Sequence, residues 1–113
     1  MDSFAVEVGG TSPEGRTVVT VRGELDMAEA ENLWARIEPL IKPGAVVVLD
    51  GSGLTFMDSV GLRVVLQARS VASLETASFR LADPQPAIQR VLKLAGVDRL
   101  VETFPTVEAA LSA

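Results

Sequence analysis

Phe4, Val6 and Val8 alternate with Ala5 and Glu7, the two-residue period of a strand with one buried face. Gly9, Gly10, Pro13 and Gly15 interrupt it before Val18, Val19 and Val21, which predicts two antiparallel strands joined by a long hairpin loop, the second ending at Gly23. From Asp26 the period changes. Ala30, Leu33, Trp34, Ile37, Leu40 and Ile41 recur with helical spacing, Pro39 disturbs the last turn, and Pro43-Gly44 closes the segment. Residues 45–49 read Ala-Val-Val-Val-Leu without alternation, as in a strand covered on both faces, and Asp50 ends the run.

A loop over residues 51–57 then leads into a second helix, from about Ser59 to Ala72, with a polar stripe of Arg63, Gln67 and Ser70. Phe79 and Leu81 flank Arg80 in a short strand. Pro84 and Pro86 introduce a helix carrying Ile88, Val91, Leu92 and Ala95 on one face, with Gly96 as its C-terminal cap. Leu100 to Thr103 predicts a last edge strand, and Thr106 caps a short helix through Leu111. Strands and helices alternate from the second strand on, so the predicted class is α/β: a mixed, mostly parallel sheet of about five strands, an N-terminal antiparallel pair and about four packed helices, forming one domain over residues 1–113. In such sheets the loops after the strands converge on one edge. Asp26 and the Asp50 to Ser59 segment are expected there.

Composition narrows the chemistry. A chain of 113 residues, 48% of them hydrophobic, buries enough surface for a core without staples. It has no Cys and no His, which removes thiol nucleophiles, imidazole bases, thiolate metal sites and disulfides. A non-enzymatic role without cofactor or metal is expected. The formal charge is −5, and Lys42 and Lys93 are the only lysines, so nucleic acid is not an expected partner. No secretory leader pattern and no apolar run of membrane-spanning length occurs, so the expected location is the cytoplasm, with no membrane partner.

Asp58-Ser59-Val60-Gly61-Leu62 is the segment richest in candidate chemistry. Asp58 suits an N-cap and Ser59 a first-turn position, where both satisfy free amides. Ser59 also suits a phosphorylation acceptor, because a helix N-terminus tolerates an anion. The two roles are compatible. Asp26, followed three residues later by Glu29, resembles a capping box. Asp50 fits either a turn residue or a metal ligand or phospho-acceptor. Gly51-Ser52-Gly53 lacks the remaining elements of a phosphate-binding loop, and Trp34 lies on the apolar helix face as a packing residue.

The run from Val46 through Asp50-Gly51-Ser52-Gly53 to Asp58-Ser59-Val60-Gly61-Leu62 resembles the signature of STAS domains, specifically bacterial anti-sigma factor antagonists. Gly23-Glu24-Leu25-Asp26 upstream and Pro84 to Leu100 downstream extend the likeness over nearly the whole chain. The resemblance implies a domain that binds an anti-sigma factor with serine kinase activity and is switched off when that kinase modifies Ser59. A metal-dependent serine phosphatase would reset it. It implies a partner-contact set of Asp26, Asp58, Ser59, Val60, Gly61, Leu62 and Arg63, with Asp26 needed for productive contact.

Two departures from the family pattern concern loop shape. Gly51 replaces a usual apolar residue, which predicts a more mobile loop, and residues 73–77 lack the glycine common before the next strand. Within the family, an accessory subunit of a transporter is a second reading. Outside it, a receiver domain phosphorylated on Asp50 is the main alternative, although its acidic pair and late lysine are missing. An enzyme built on Asp26, Asp50 and Asp58 is a third. Ser52 and Thr55 remain open as further acceptors.

Overall fold

The computed structural model describes residues 4–113. Its elements are β1 (Ala5–Val8), β2 (Arg16–Leu25), α1 (Met27–Ile37), β3 (Val46–Met57), α2 (Ser59–Leu74), β4 (Ser78–Ala82), α3 (Pro86–Leu94), β5 (Glu102–Phe104) and α4 (Val107–Ser112). The five strands lie in sequence order, with β1 antiparallel to β2 and every later pair parallel.

This order fixes the layers. Each parallel strand is added beside the previous one in the same direction, so crossovers of one hand place their helices on one face. Ala30, Leu33 and Ile37 of α1, Val64, Val65 and Ala68 of α2, and Ile88 and Leu92 of α3 accordingly share one core with Val19, Val21, Val47, Leu49, Phe79 and Leu81 of the sheet. The short α4 follows the last strand and is not a crossover. It covers the opposite face, where Ala110 packs with Val48 and Ala82. Arg80, on that face of β4, is buried and donates from its guanidinium to the carbonyl of Ala110 at 2.7 Å. The alternation of Phe79, Arg80 and Leu81 thus matches a strand sandwiched between two helix layers.

The helix ends follow from local chemistry. Pro39 converts the tail of α1 into a 3-10 turn over Glu38–Leu40. The chain leaves α3 through Gly96 (φ 74°), with the Gly96 and Val97 amides donating to the carbonyls of Lys93 and Leu92 at 3.0 Å each. That is a Schellman ending. The chain leaves α2 in the same way, the Ala77 amide donating to the Ala72 carbonyl at 2.8 Å, but the left-handed residue is Thr76 (φ 58°). The glycine missing from residues 73–77 is therefore missing where a glycine would fit best.

Strand boundaries differ from the sequence reading, the last strand running over Glu102–Phe104 instead of Leu100 to Thr103. β2 runs past Gly23 to Leu25, and β3 does not stop at Asp50 but continues to Met57. The expected loop over residues 51–57 is strand, paired with β2 from Arg22↔Gly53 to Leu25↔Met57, with one register shift just before Arg22 and a second after Gly23. The glycines that suggest a loop permit close approach instead. A Cβ on Gly53 would lie 2.9 Å from Arg22 Cγ, and one on Gly51 would lie 3.3 Å from Leu81 Cδ1. Gly51 is buried, so the expected mobility is replaced by tight packing.

Candidate functional site

The extension of β2 and β3 brings two helix starts together. Leu25 and Met57 end their strands as a register pair, and each chain then needs one residue to enter its helix: Asp26 for α1 and Asp58 for α2. Both adopt extended backbone and both cap with their side chains. Asp26 Oδ1 accepts the Glu29 amide at 3.2 Å. Asp58 Oδ1 accepts the amides of Val60 (3.0 Å) and Gly61 (2.9 Å). Its other oxygen, Oδ2, accepts the Met27 amide at 3.1 Å, so a single carboxylate serves the first turns of both helices. The Asp58 amide in turn donates to the Leu25 carbonyl at 3.2 Å.

Ser59, the first residue of α2, is exposed. The capping role expected of Asp58 leaves few first-turn amides free beside Ser59. Asp58 already occupies the Val60 and Gly61 amides, and the Leu62 amide closes the first helical bond to the Asp58 carbonyl at 2.9 Å. Of the four amides from Ser59 to Leu62, that of Ser59 alone has no partner among the described residues.

Gly61 explains how the helix sits so close to the strand end. A Cβ there would lie 2.7 Å from the Leu25 carbonyl oxygen and 2.8 Å from Leu25 Cγ. Val60 and Leu62 are half-buried and Arg63 is exposed one turn below Ser59. Asp26, Asp58, Ser59, Val60, Gly61, Leu62 and Arg63 are thus gathered at the helix starts, on the carboxyl edge of the parallel strands. Met27, exposed to 69%, belongs to the same place and was not legible in the sequence, since only its backbone amide reaches Asp58.

Asp50 does not join them. It stands inside β3, opposite Thr20 and Ala82, and its carboxylate accepts the Ser52 amide at 3.1 Å. Its role is the turn-like one, now within a bulged strand, and neither the receiver arrangement nor an acidic triad with Asp26 and Asp58 forms. Among the described residues no three metal-ligating side chains converge. Thr55 donates its hydroxyl to the Gly23 carbonyl at 3.1 Å, bridging β3 and β2. Trp34 is half-buried, packed partly on the core and partly lining a groove of about 450 Å³ between α1 and α2. No helix among the described residues is long and apolar enough to cross a membrane.

Comparison with known proteins matches the same frame. A solved anti-sigma factor antagonist from Mycobacterium paratuberculosis superposes with a TM-score of 0.84 at 31% identity, covering 97% of this chain and 92% of that one. The unphosphorylated anti-sigma factor antagonist SpoIIAA gives 0.78 at 26% identity, with 96% and 94% covered. SpoIIAA from Bacillus has also been solved in a phosphorylated form, which gives 0.72 at 26% identity, with 96% and 97% covered. The anti-sigma F factor antagonist of Lysinibacillus sphaericus is 33% identical over 84 residues, 71% of this chain and 70% of its own length. The alignment with a Mycobacterium tuberculosis protein, named as a candidate anti-anti-sigma factor, is 28% identical over 79% of this chain and spans 62% of that relative's length. The STAS domain model matches residues 5–110. With its sequential five-stranded sheet, its paired helix caps and this match over nearly its full length, the chain belongs to the STAS domain family.

Proposed function

We propose that the chain is an anti-sigma factor antagonist that binds an anti-sigma factor with serine kinase activity and is switched off when that kinase phosphorylates Ser59. The observation that carries this reading is the exposed Ser59 at the start of α2, beside a carboxylate already committed to the surrounding amides. Relatives bearing the name of anti-sigma factor antagonists support the partner class.

The switch is electrostatic. Phosphoserine adds about −1.5 to −2 charges at neutral pH. Because Asp58 holds the amides of Val60 and Gly61, the new anion gains little local hydrogen bonding and stands next to a like charge. Like charges about 4 Å apart at an effective dielectric of about 20 repel by roughly 4 kcal/mol before screening. The helix dipole returns only about 0.3–1 kcal/mol. A partner pressed on this edge must desolvate or repel that charge, whereas the free protein keeps it in water. A net penalty of about 3 kcal/mol weakens association roughly a hundredfold. A metal-dependent serine phosphatase would restore the binding form.

The test is labelling by the anti-sigma factor serine kinases of the source genome, each purified and supplied with Mg-ATP. One of them labels the wild-type chain, phosphopeptide mapping places the label on Ser59, and Ser59→Ala abolishes it while the melting curve is kept. A label that maps to Ser52 or Thr55, or none from any kinase, contradicts the proposal.

A further inference from the structure

The edge that displays Ser59 is acidic. Residues 25–35 and 57–67, the strand ends and the turns of α1 and α2 that follow them, hold Asp26, Glu29, Glu31 and Asp58 against a single cation, Arg63. Arg63 follows Ser59 by four positions on α2, and both are exposed. Residues at this spacing are neighbours on a helix surface, about 5–6 Å apart at Cβ. Helical side chains also lean toward the N-terminus, so a long one covers the turn before its own. For Arg63 that turn is the one Ser59 begins. The Arg63 side chain lines the open groove between α1 and α2, and among the described residues no carboxylate lies within ion-pair distance of its guanidinium. Asp58, the acid beside Ser59, has both oxygens committed to the amides of Met27, Val60 and Gly61.

We propose that Arg63 clasps the phosphate of phosphorylated Ser59, so that the modification both adds an anion to this edge and takes its cation out of service. The inference rests on the function proposed above and adds the residue that holds the switched-off state. The first turn does not hold the phosphate through its backbone, since Asp58 keeps the Val60 and Gly61 amides and only the Ser59 amide is open. A side chain is left as the partner, and the planar guanidinium fork matches two phosphate oxygens. The order along the helix, anion before cation by four positions, is the favourable one. Glu31, on the facing wall of the groove, competes with a smaller charge than the phosphate carries. Arg63, expected among the partner-contact residues, is then paired within the chain. One guanidinium offsets only about half the charge of a phosphate dianion, so the edge stays repulsive to the partner.

The test uses the chain with phosphoserine incorporated at position 59 during translation, so that no kinase is required. Its phosphorus resonance is titrated against pH in the otherwise wild-type chain, in Arg63→Gln and in Arg69→Gln. Both arginines are exposed, and thermal melts check that the fold is kept. A paired cation favours the dianion and lowers the second phosphate pKa, whereas Asp26, Glu31 and Asp58 raise it alike in every chain. The expected result is a pKa about 0.5 higher in Arg63→Gln than in wild type, no change in Arg69→Gln, and a downfield shift of the Arg63 Nε proton on phosphorylation. The same pKa in the Arg63→Gln and wild-type chains, or an equal rise in Arg69→Gln, overturns the clasp while leaving Ser59 as the acceptor. Failure of every kinase to label Ser59 overturns the function proposed above, and the clasp's part in regulation with it, even where the titration difference is found.

Discussion

The Asp58 carboxylate accepts the Met27 amide at 3.1 Å across 31 positions of sequence while capping its own helix through Val60 and Gly61. One side chain thereby joins the starts of α1 and α2 and sets the edge on which Ser59 is displayed. Its importance to that edge is structural before it is functional.

Removing it separates the two contributions. Asp58→Ala loses all three acceptor contacts and is expected to destabilise the fold by about 2 kcal/mol in denaturant unfolding. Asp58→Asn keeps an oxygen for Val60 and Gly61 but turns an amino group toward the Met27 amide, so an intermediate loss is expected. Equal stability of the alanine variant and wild type would show that the bridge contributes nothing.

Gly61 permits α2 to start against the end of β2. Gly61→Ala places a methyl 2.7 Å from the Leu25 carbonyl oxygen, which neither backbone can yield without moving the helix start. A loss of about 1–3 kcal/mol is expected, together with amide shift changes at Leu25, Met27 and Ser59 in an NMR spectrum. Shifts confined to residue 61 and its chain neighbours would contradict this.

The two Schellman endings respond with opposite sign to substitution. Thr76 holds a left-handed backbone that a β-branched side chain resists, so Thr76→Gly is expected to stabilise by about 1 kcal/mol, the relieved strain exceeding the added chain entropy. At Gly96, which holds the same conformation without strain, Gly96→Ala is expected to destabilise by about 1 kcal/mol. Urea unfolding of both variants checks the pair of signs.

Much of this fold was legible because local and global preferences agree: Asp26, Asp58 and Thr106 cap helices, Pro39 ends one, and the runs of valine mark interior strands. Residues 51–57 were misread because glycine and serine signal turns by composition, whereas their use here depends on what lies across the sheet. The steric reason for Gly53 is Arg22, and that for Gly51 is Leu81, thirty residues away in both cases or nearly so. Asp58 was readable as a cap but not as a bridge, since the Met27 amide has no residue-type signature. The burial of Arg80 likewise depends on α4 folding back over β4 to offer the Ala110 carbonyl.

A single added charge imitates phosphate only in part. Ser59→Asp and Ser59→Glu are therefore expected to weaken binding to the kinase that labels the chain, by less than the phosphate itself does. Unchanged affinity in both would oppose an electrostatic switch.

The most direct measurement is calorimetric titration of that kinase, with ADP bound, against the unmodified chain and against the chain stoichiometrically phosphorylated on Ser59. An electrostatic switch at the start of α2 predicts that phosphorylation weakens binding about a hundredfold, with thermal stability of the free chain changing far less. Equal affinity for the two forms would contradict it.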